Sequence, residues 1–328
     1  MTDSPRTGAQ ADLGPLLDVT RLQVAFGGST ALHDISLHVD AGETLGLVGE
    51  SGSGKSTLAR AILRLVPATG GEVWWRGEDL LKCSSRELRP KRRELQIVFQ
   101  DPMASLNPRL TVGAALAEPL AIFEPAVSTR ARKSAVAQML ERVGLSAEMA
   151  RRYPHEFSGG QCQRIGIARA MMLRPALLIC DEPVSSLDVS IQGQIINLLM
   201  DLQKEHGTAM LFISHDLAVV RHVSHRVMVM YRGRAVEVAM RDALFAIPAH
   251  PYTRALLAAV PDPTRAFAAT APVTGVESTP PTSRGKGCAF HDRCPHGQPA
   301  CLDTLPVLQS VASRHEVACH RWRELVYS

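Results

Sequence analysis

Apolar positions in this chain fall into short runs bounded by turn formers, and their spacing changes from one region to the next. Eight runs, "RLQVAF", "ISLHV", "TLGLVG", "EVWW", "LQIVF", "ALLIC", "AMLFIS" and "RVMVMY", alternate or are continuously apolar and are rich in β-branched residues. That pattern predicts strands. Between "IVFQ" and "ALLIC" the period lengthens to that of a helix. In "STRARKSAVAQMLERVG", Val136, Met139, Leu140 and Val143 share one face, Ser128 can cap the start and Gly144 stops the helix. "SIQGQIINLLMDLQKEHG" repeats this logic with Ile195, Leu198, Leu199 and Leu202 on one face and Gly207 at the end. A β-rich start, a helical insertion (about 101–172) and then strand–helix–strand units predict an α/β fold. A parallel sheet would form its core.

Composition narrows the class. The 328 residues are 45 % hydrophobic and 21 % charged, as in an ordinary globular chain with a sizeable core. The formal charge of +4 is spread along the chain, so no nucleic-acid partner is expected. No apolar run approaches the roughly 18 residues that span a bilayer. The start, "MTDSPRTGAQADLG", has neither a basic head nor an apolar core, so no signal peptide is expected. A reducing cytoplasm follows, in which structural disulfides are not expected. Residues 1–15 read as a flexible N-terminus. Residues 261–286, rich in Pro, Thr, Ala and Ser, read as a linker. Residues 287–328 form a small Cys-rich unit, too short to fold on apolar burial alone.

The chemistry starts at "GLVGESGSGKSTLARAIL", which gives G-x-x-x-x-G-K-[ST] between a strand and a helix. Here Gly49, Glu50, Ser51, Gly52, Ser53, Gly54, Lys55, Ser56 and Thr57 would curl backbone N–H groups around phosphate oxygens, beside the positive end of the helix. Lys55 would bridge the β- and γ-phosphates, and the Ser56 hydroxyl would ligate Mg²⁺. The alternative reading, a Gly/Ser-rich turn, does not require that strand–loop–helix context. In "ALLICDEP" a buried strand presents Asp181, a Mg²⁺ holder, and Glu182, placed to orient or deprotonate an attacking water. Cys180 reads as a small core residue. In "FSGGQCQRIGIARAMML", Ser158, Gly159, Gly160 and Gln161 open a second helix start able to bind an anion. One ATP does not need two such starts from one chain, but two chains paired head to tail can each lend one to the other.

On these motifs, with "YPHEFSGGQ", "QDPMASLNPRLTVG" and "HPYTRALLAAVP", residues 16–260 resemble the ATP-binding subunit of an ABC transporter. The resemblance is closest to the peptide/oligopeptide/nickel import branch, and to its second (F-type) ATPase subunit. It implies a P-loop ABC nucleotide-binding fold: a mixed sheet core with an antiparallel β subdomain and a helical subdomain. It also implies roles. Phe26 would stack on adenine, its alternative being a core strand residue. Gln100 would touch Mg²⁺ and water, and His215 would contact the γ-phosphate. Ser186, Leu187 and Asp188 would cross a dimer interface. Phe157, Cys162 and Ser186 depart from the commoner residues without removing a catalytic group.

The last question is the spacing C-x5-C-x6-C-x17-C over Cys288, Cys294, Cys301 and Cys319. It fits neither common zinc knuckles nor ferredoxin runs. Four thiolates could hold Zn²⁺ or an iron–sulfur cluster, with His291, His296, His315 and His320 as substitutes. The resemblance implies a [4Fe–4S] cluster, zinc being the alternative and unliganded thiols a third, and a structural role. Cys83 and Cys162 are not expected to be ligands. The resemblance further implies ATP and Mg²⁺ as cofactors and an ATPase that energises import of a peptide-like solute. Its partners would be two transmembrane permease subunits, a second ABC ATPase subunit (a paralogue or an identical copy) and an extracytoplasmic solute-binding protein. Such a subunit is peripheral, on the cytoplasmic face of the inner membrane. The other reading is a soluble ABC ATPase acting on nucleic acid or the ribosome. A small-molecule kinase would share the phosphate loop but leaves "SGGQ" unexplained.

Overall fold

All eight apolar runs form strands in the computed structural model, which describes residues 14–185, 187–259 and 286–327. Almost all of the expected linker and of the expected flexible N-terminus lies outside the described residues, as does Ser186. Alternation and continuous burial separate the strands into two sheets. In β1 (Leu17–Phe26) buried positions alternate with partly exposed ones. It pairs antiparallel with β2 (Ser29–Val39) and β4 (Gly70–Trp75), and β5 (Glu78–Asp79) completes a four-stranded sheet ordered β2-β1-β4-β5.

Four of the remaining runs are buried throughout, as parallel strands between helices must be, and the fifth, at the border of the sheet, is buried only at Leu95 and Val98. The five are β3 (Thr44–Val48), β6 (Leu95–Val98), β7 (Leu177–Asp181), β8 (Ala209–Ile213) and β9 (Arg226–Tyr231). They pair in parallel, and β10 (Arg234–Met240) turns back antiparallel on β9. Beyond it lie β12 (His315–Val317) and β11 (Gln309–Ala312), giving eight strands ordered β11-β12-β10-β9-β3-β8-β7-β6. None of β5, β10, β11 and β12 is among the eight runs. In β10 Arg234 and Glu237 interrupt the apolar signal, and β11 is largely exposed.

Register matters most for function. Val98 lies beside Cys180, Asp181 beside Ile213, Leu47 beside Ile213 and Val48 beside Val229. The parallel strands therefore end level, and the residues that follow emerge along one edge. Open α/β sheets bind ligands at such carboxyl ends.

Between β6 and β7 a helical layer forms around its own core, which includes Leu116, Leu140 and Ile165. Its Thr129–Arg142 helix is capped by Ser128, whose hydroxyl accepts from the Ala131 N–H, and it buries Val136 and Leu140 as the spacing predicts. The Val189–His206 helix buries Ile195, Leu199 and Leu202 and ends at Gly207, which adopts left-handed φ +63°. The mixed α/β class and both amphipathic helices follow from sequence pattern. Among the described residues no helix is long and apolar enough to cross a membrane.

Candidate active site

The phosphate loop leaves β3 and enters the Lys55–Ile62 helix at Gly54, φ +99°. No side chain caps this helix, so its first N–H groups stay available to an anion. Gly49 has φ +156°, and a Cβ there would lie 2.2 Å from the Met230 carbonyl oxygen, so only glycine fits. Lys55 is buried, and its Nζ donates to the carbonyls of Gly49 (2.7 Å) and Glu50 (3.0 Å). Burial pulls the Lys55 pKa down, while Glu182, Asp181 and Glu50 push it back up. The loop therefore holds a cation in a confined, glycine-lined turn.

The level strand ends bring the other groups to it. The Ser56 hydroxyl donates to Asp181 Oδ1 at 2.7 Å. Asp181 is 1 % exposed, and burial raises its pKa against the opposing pull of Ser56, Arg60 and Lys55. Two hard oxygen donors at the mouth of a phosphate loop suit Mg²⁺. Glu182 sits at φ +48°, a left-handed conformation costly for a non-glycine residue, with its N–H on the Ile213 carbonyl. This turn aims its carboxylate back into the site. There Oε2 accepts from Gln100 Nε2 (3.1 Å) and lies 3.3 Å from His215 Nδ1, while Oε1 is 3.9 Å from Lys55 Nζ. Lys55, Ser56, Gln100, Asp181, Glu182 and His215 thus form one cluster from four strand ends.

Not every expected residue joins it. Phe26 is 47 % exposed at the end of β1, so it is not a core residue, and it ends the strand three residues before Ser29, a wall residue of the cavity beside the phosphate loop. Ser158, Gly159, Gly160 and Gln161 open the separate Gly159–Met171 helix. Ser158 Oγ accepts from the Gln161 N–H and the Gln161 side chain accepts from the Ser158 N–H. That turn is exposed at Ser158 and Gly159. Asp188 is exposed at the start of the Val189–His206 helix and makes no side-chain cap.

The cavity beside the loop has walls that no motif points to. Arg232 and Arg234 from the β9–β10 turn, His33 from β2, and Gly287 and Ala289 from the C-terminal segment line it with Lys55 and Ser56. Burial and Arg234 lower the His33 pKa. An Arg-Gly-Arg turn reads like any basic hairpin turn; only tertiary contact, Gly233 N–H to the Ser53 carbonyl at 2.9 Å, puts it here.

Cys288, Cys294, Cys301 and Cys319 line one small cavity with His250, Phe290 and their neighbours. Burial raises the pKa of Cys288, Cys294 and Cys319, the last to about 11, so these thiols are protonated at neutral pH. Backbone N–H groups of Phe290, His296 and Arg321 point at Cys288, Cys294 and Cys319 respectively. The expected metal centre is not ready-made, however. Among the described residues, no group of three or more His, Cys, Asp or Glu is placed to hold a metal ion. The four cysteines share a cavity without converging on one point. His315 is committed elsewhere, its Nε2 2.8 Å from the buried Glu237. Cys162 packs on Met103, Cys180 is fully buried in β7, and Cys83 lies near Asp79, all away from this cavity.

Comparison with known proteins agrees with this geometry. Residues 32–185 match the family described as "ABC transporter", and residues 236–301 match "Oligopeptide/dipeptide transporter, C-terminal region". The chain is 52 % identical, over 88 % of its length and 87 % of the relative's, to the oligopeptide transport ATP-binding protein OppF of Escherichia coli (strain K12). It is 49 % identical, over 88 % of each chain, to the protein of the same name from Haemophilus influenzae. Among solved structures it resembles the dimeric post-hydrolysis state of the ATP-binding cassette MJ0796 bound to ADP and Pi. There the TM-score is 0.63 at 29 % identity, covering 69 % of this chain and 98 % of that one.

Proposed function

The chain belongs to the ATP-binding subunits of ABC transporters, with the oligopeptide/dipeptide C-terminal region, and from that premise we propose how its residues drive peptide import. It is an ATPase whose hydrolysis energises transport. The observation that carries the site reading is the convergence of Lys55, Ser56, Gln100, Asp181, Glu182 and His215 on the phosphate loop.

In this reading the loop N–H groups and Lys55 bind the β- and γ-phosphates of ATP, while Ser56, Asp181 and Gln100 hold Mg²⁺. The ion, when bound, neutralises charge on the transferring phosphoryl group. Glu182 orients the water that attacks the γ-phosphorus and accepts its proton as the bond to the β-phosphate oxygen breaks. Gln100 and His215 fix the Glu182 carboxylate through Oε2. Phe26 faces the adenine. The exposed Ser158–Gln161 turn and Asp188 serve the nucleotide of a second ATPase subunit, a paralogue or an identical copy, because they lie outside this chain's own cluster.

Docking to two permease subunits is supported by a groove between β6 and the helical layer, lined by Gln96, Phe99, Pro102, Glu118, Ile122 and Phe123. It begins four residues before Gln100, so a permease helix seated there would feel the state of the site. The subunit would then sit peripherally on the cytoplasmic face, with an extracytoplasmic binding protein supplying the peptide. No observation favours the nucleic-acid reading. Assembled transporter in vesicles should hydrolyse ATP several-fold faster when its binding protein carries peptide. Hydrolysis indifferent to that protein would refute the coupling.

Residues 16–260 are read as the ATPase domain, about 101–172 as its helical insertion, 261–286 as a linker and 287–328 as the Cys-rich extension. The [4Fe–4S] cluster on Cys288, Cys294, Cys301 and Cys319 rests on the family resemblance alone, since among the described residues these thiols share a cavity but are not placed as a metal site; it would tie the segment together. Metal and acid-labile sulfide in anaerobically purified protein test this beside Cys294→Ser. Iron with sulfide, lost in the variant, supports the cluster; zinc or no metal rejects it.

A further inference from the structure

One residue of the phosphate loop is held from three sides. The Glu50 N–H donates to Tyr252 Oη at 2.9 Å, and its carbonyl accepts from Lys55 Nζ at 3.0 Å. Its carboxylate takes a two-pronged hold from Arg293, at 2.8 and 2.9 Å. Arg293 is not a local residue. It lies beside Cys294 in the C-terminal segment, more than two hundred positions away in sequence.

The guanidinium is itself fixed. It lies 5.9 Å from the Tyr231 ring centre and 5.8 Å from that of Phe290. Tyr231, Tyr252 and Phe290 pack on one another, with ring centres 4.6 to 5.3 Å apart. Phe290 also lines the four-cysteine cavity, and the Cys288 N–H donates to the Cys301 carbonyl at 2.7 Å. On the other side Gly287 and Ala289 line the nucleotide cavity. An unbroken series of contacts therefore runs from the cysteine cavity to the carbonyl that holds Lys55. A rigid planar fork on a carboxylate, stacked on aromatic rings, fixes direction as well as distance.

We propose that Arg293 is a positioning residue of the phosphate loop, through which the C-terminal cysteine segment sets the nucleotide affinity of the site. This rests on the reading of that loop as the nucleotide site. Arg293 touches no reacting atom; it acts through Glu50. Coupling is reciprocal, so nucleotide must in turn steady the C-terminal segment.

The test uses the purified full-length chain and Mg–ADP. Glu50 and Arg293 are partly exposed, and a pair of this kind is worth up to about fivefold in affinity. Arg293→Met should raise the ADP dissociation constant of the chain about three- to fivefold and, in the assembled transporter, the KM for ATP by a similar factor while kcat stays within twofold. Arg293→Lys, which keeps the charge but not the fork, should recover only part. Glu50→Gln should raise the ADP dissociation constant as much as Arg293→Met does, with the double variant no worse than either. Mg–ADP should slow amide exchange in 287–294 of the wild type and not of Arg293→Met. Unchanged affinity, additive losses, or exchange indifferent to nucleotide would each overturn the proposal while leaving the site reading intact. Failure of the wild type to bind Mg–ADP would instead bring down the site reading and this proposal with it.

Discussion

Two helix starts in this molecule carry the same backbone chemistry and finish it in opposite ways. At Gly54 the Lys55–Ile62 helix begins without a side-chain cap, behind a glycine-lined turn, with its lysine buried. At Ser158 the Gly159–Met171 helix begins with a complete capping box on an exposed surface. The first leaves its N–H groups to a ligand and surrounds them with charge. The second satisfies two of its own backbone N–H groups and keeps only the residual field of the helix and two side-chain-free positions. An anion site that works within one chain can be built open. The second, under the proposal that it serves a partner's nucleotide, must be stable alone, and a cap makes it so.

The sharpest break in that comparison is chemical. Glu182→Gln keeps the shape of the first site but removes the proton acceptor, and should lower kcat by at least a hundredfold with little change in ATP binding. Retained turnover would move the base elsewhere. Ser158 separates capping from anion binding. Asp caps a helix as well as Ser does, whereas Ala does not. Ser158→Ala should cost about 1 kcal/mol of stability in thermal unfolding. Ser158→Asp should preserve the melting temperature yet suppress hydrolysis in the assembled transporter about tenfold or more, since it sets a carboxylate against the partner's phosphate. An active, assembled Ser158→Asp transporter would mean that this turn only begins a helix.

A third helix start adds a smaller, pH-dependent case. The ring of His250, 1 % exposed, accepts the Tyr252 N–H on Nδ1 at 3.0 Å, so this cap exists only while His250 is neutral. Burial lowers its pKa to about 4, against the opposing pull of Glu237. The unfolded chain takes up this proton near pH 6.5 and the folded chain only near pH 4. Stability from this group is therefore complete above pH 6.5 and falls as pH drops toward 4, by up to about 3 kcal/mol. Denaturant titrations at pH 7.5 and 5 should show the loss, and His250→Asn should flatten it.

The same contrast explains what could be read in the sequence. Gly49 to Thr57, Asp181 and Glu182 were legible because phosphate chemistry demands particular residue types within one strand end or turn. Gln100 and His215 became legible through resemblance, and their meeting at Glu182 needed the strand register. Arg293 and Arg234 left no trace, and Tyr252 stood only as one letter of a family motif, because their roles depend on packing between distant segments and their types are common anywhere. The cysteines were visible as a cluster, but spacing alone gave neither a geometry nor an occupant. The strands β11 and β12 were lost because short, exposed or charged segments carry little periodicity.

Those last strands have a consequence for the life of the chain in the cell. Glu237 in β10 pairs with Val317 in β12, so a chain without β12 would leave the β10 edge of the main sheet unpaired. Exposed strand edges recruit other chains. Truncation before β12, by proteolysis or a premature stop, should leave a nucleotide-binding body with an adhesive margin, prone to clump before it finds its permease. The C-terminal hairpin thus covers β10 and leaves the short, largely exposed β11 as the border in its place.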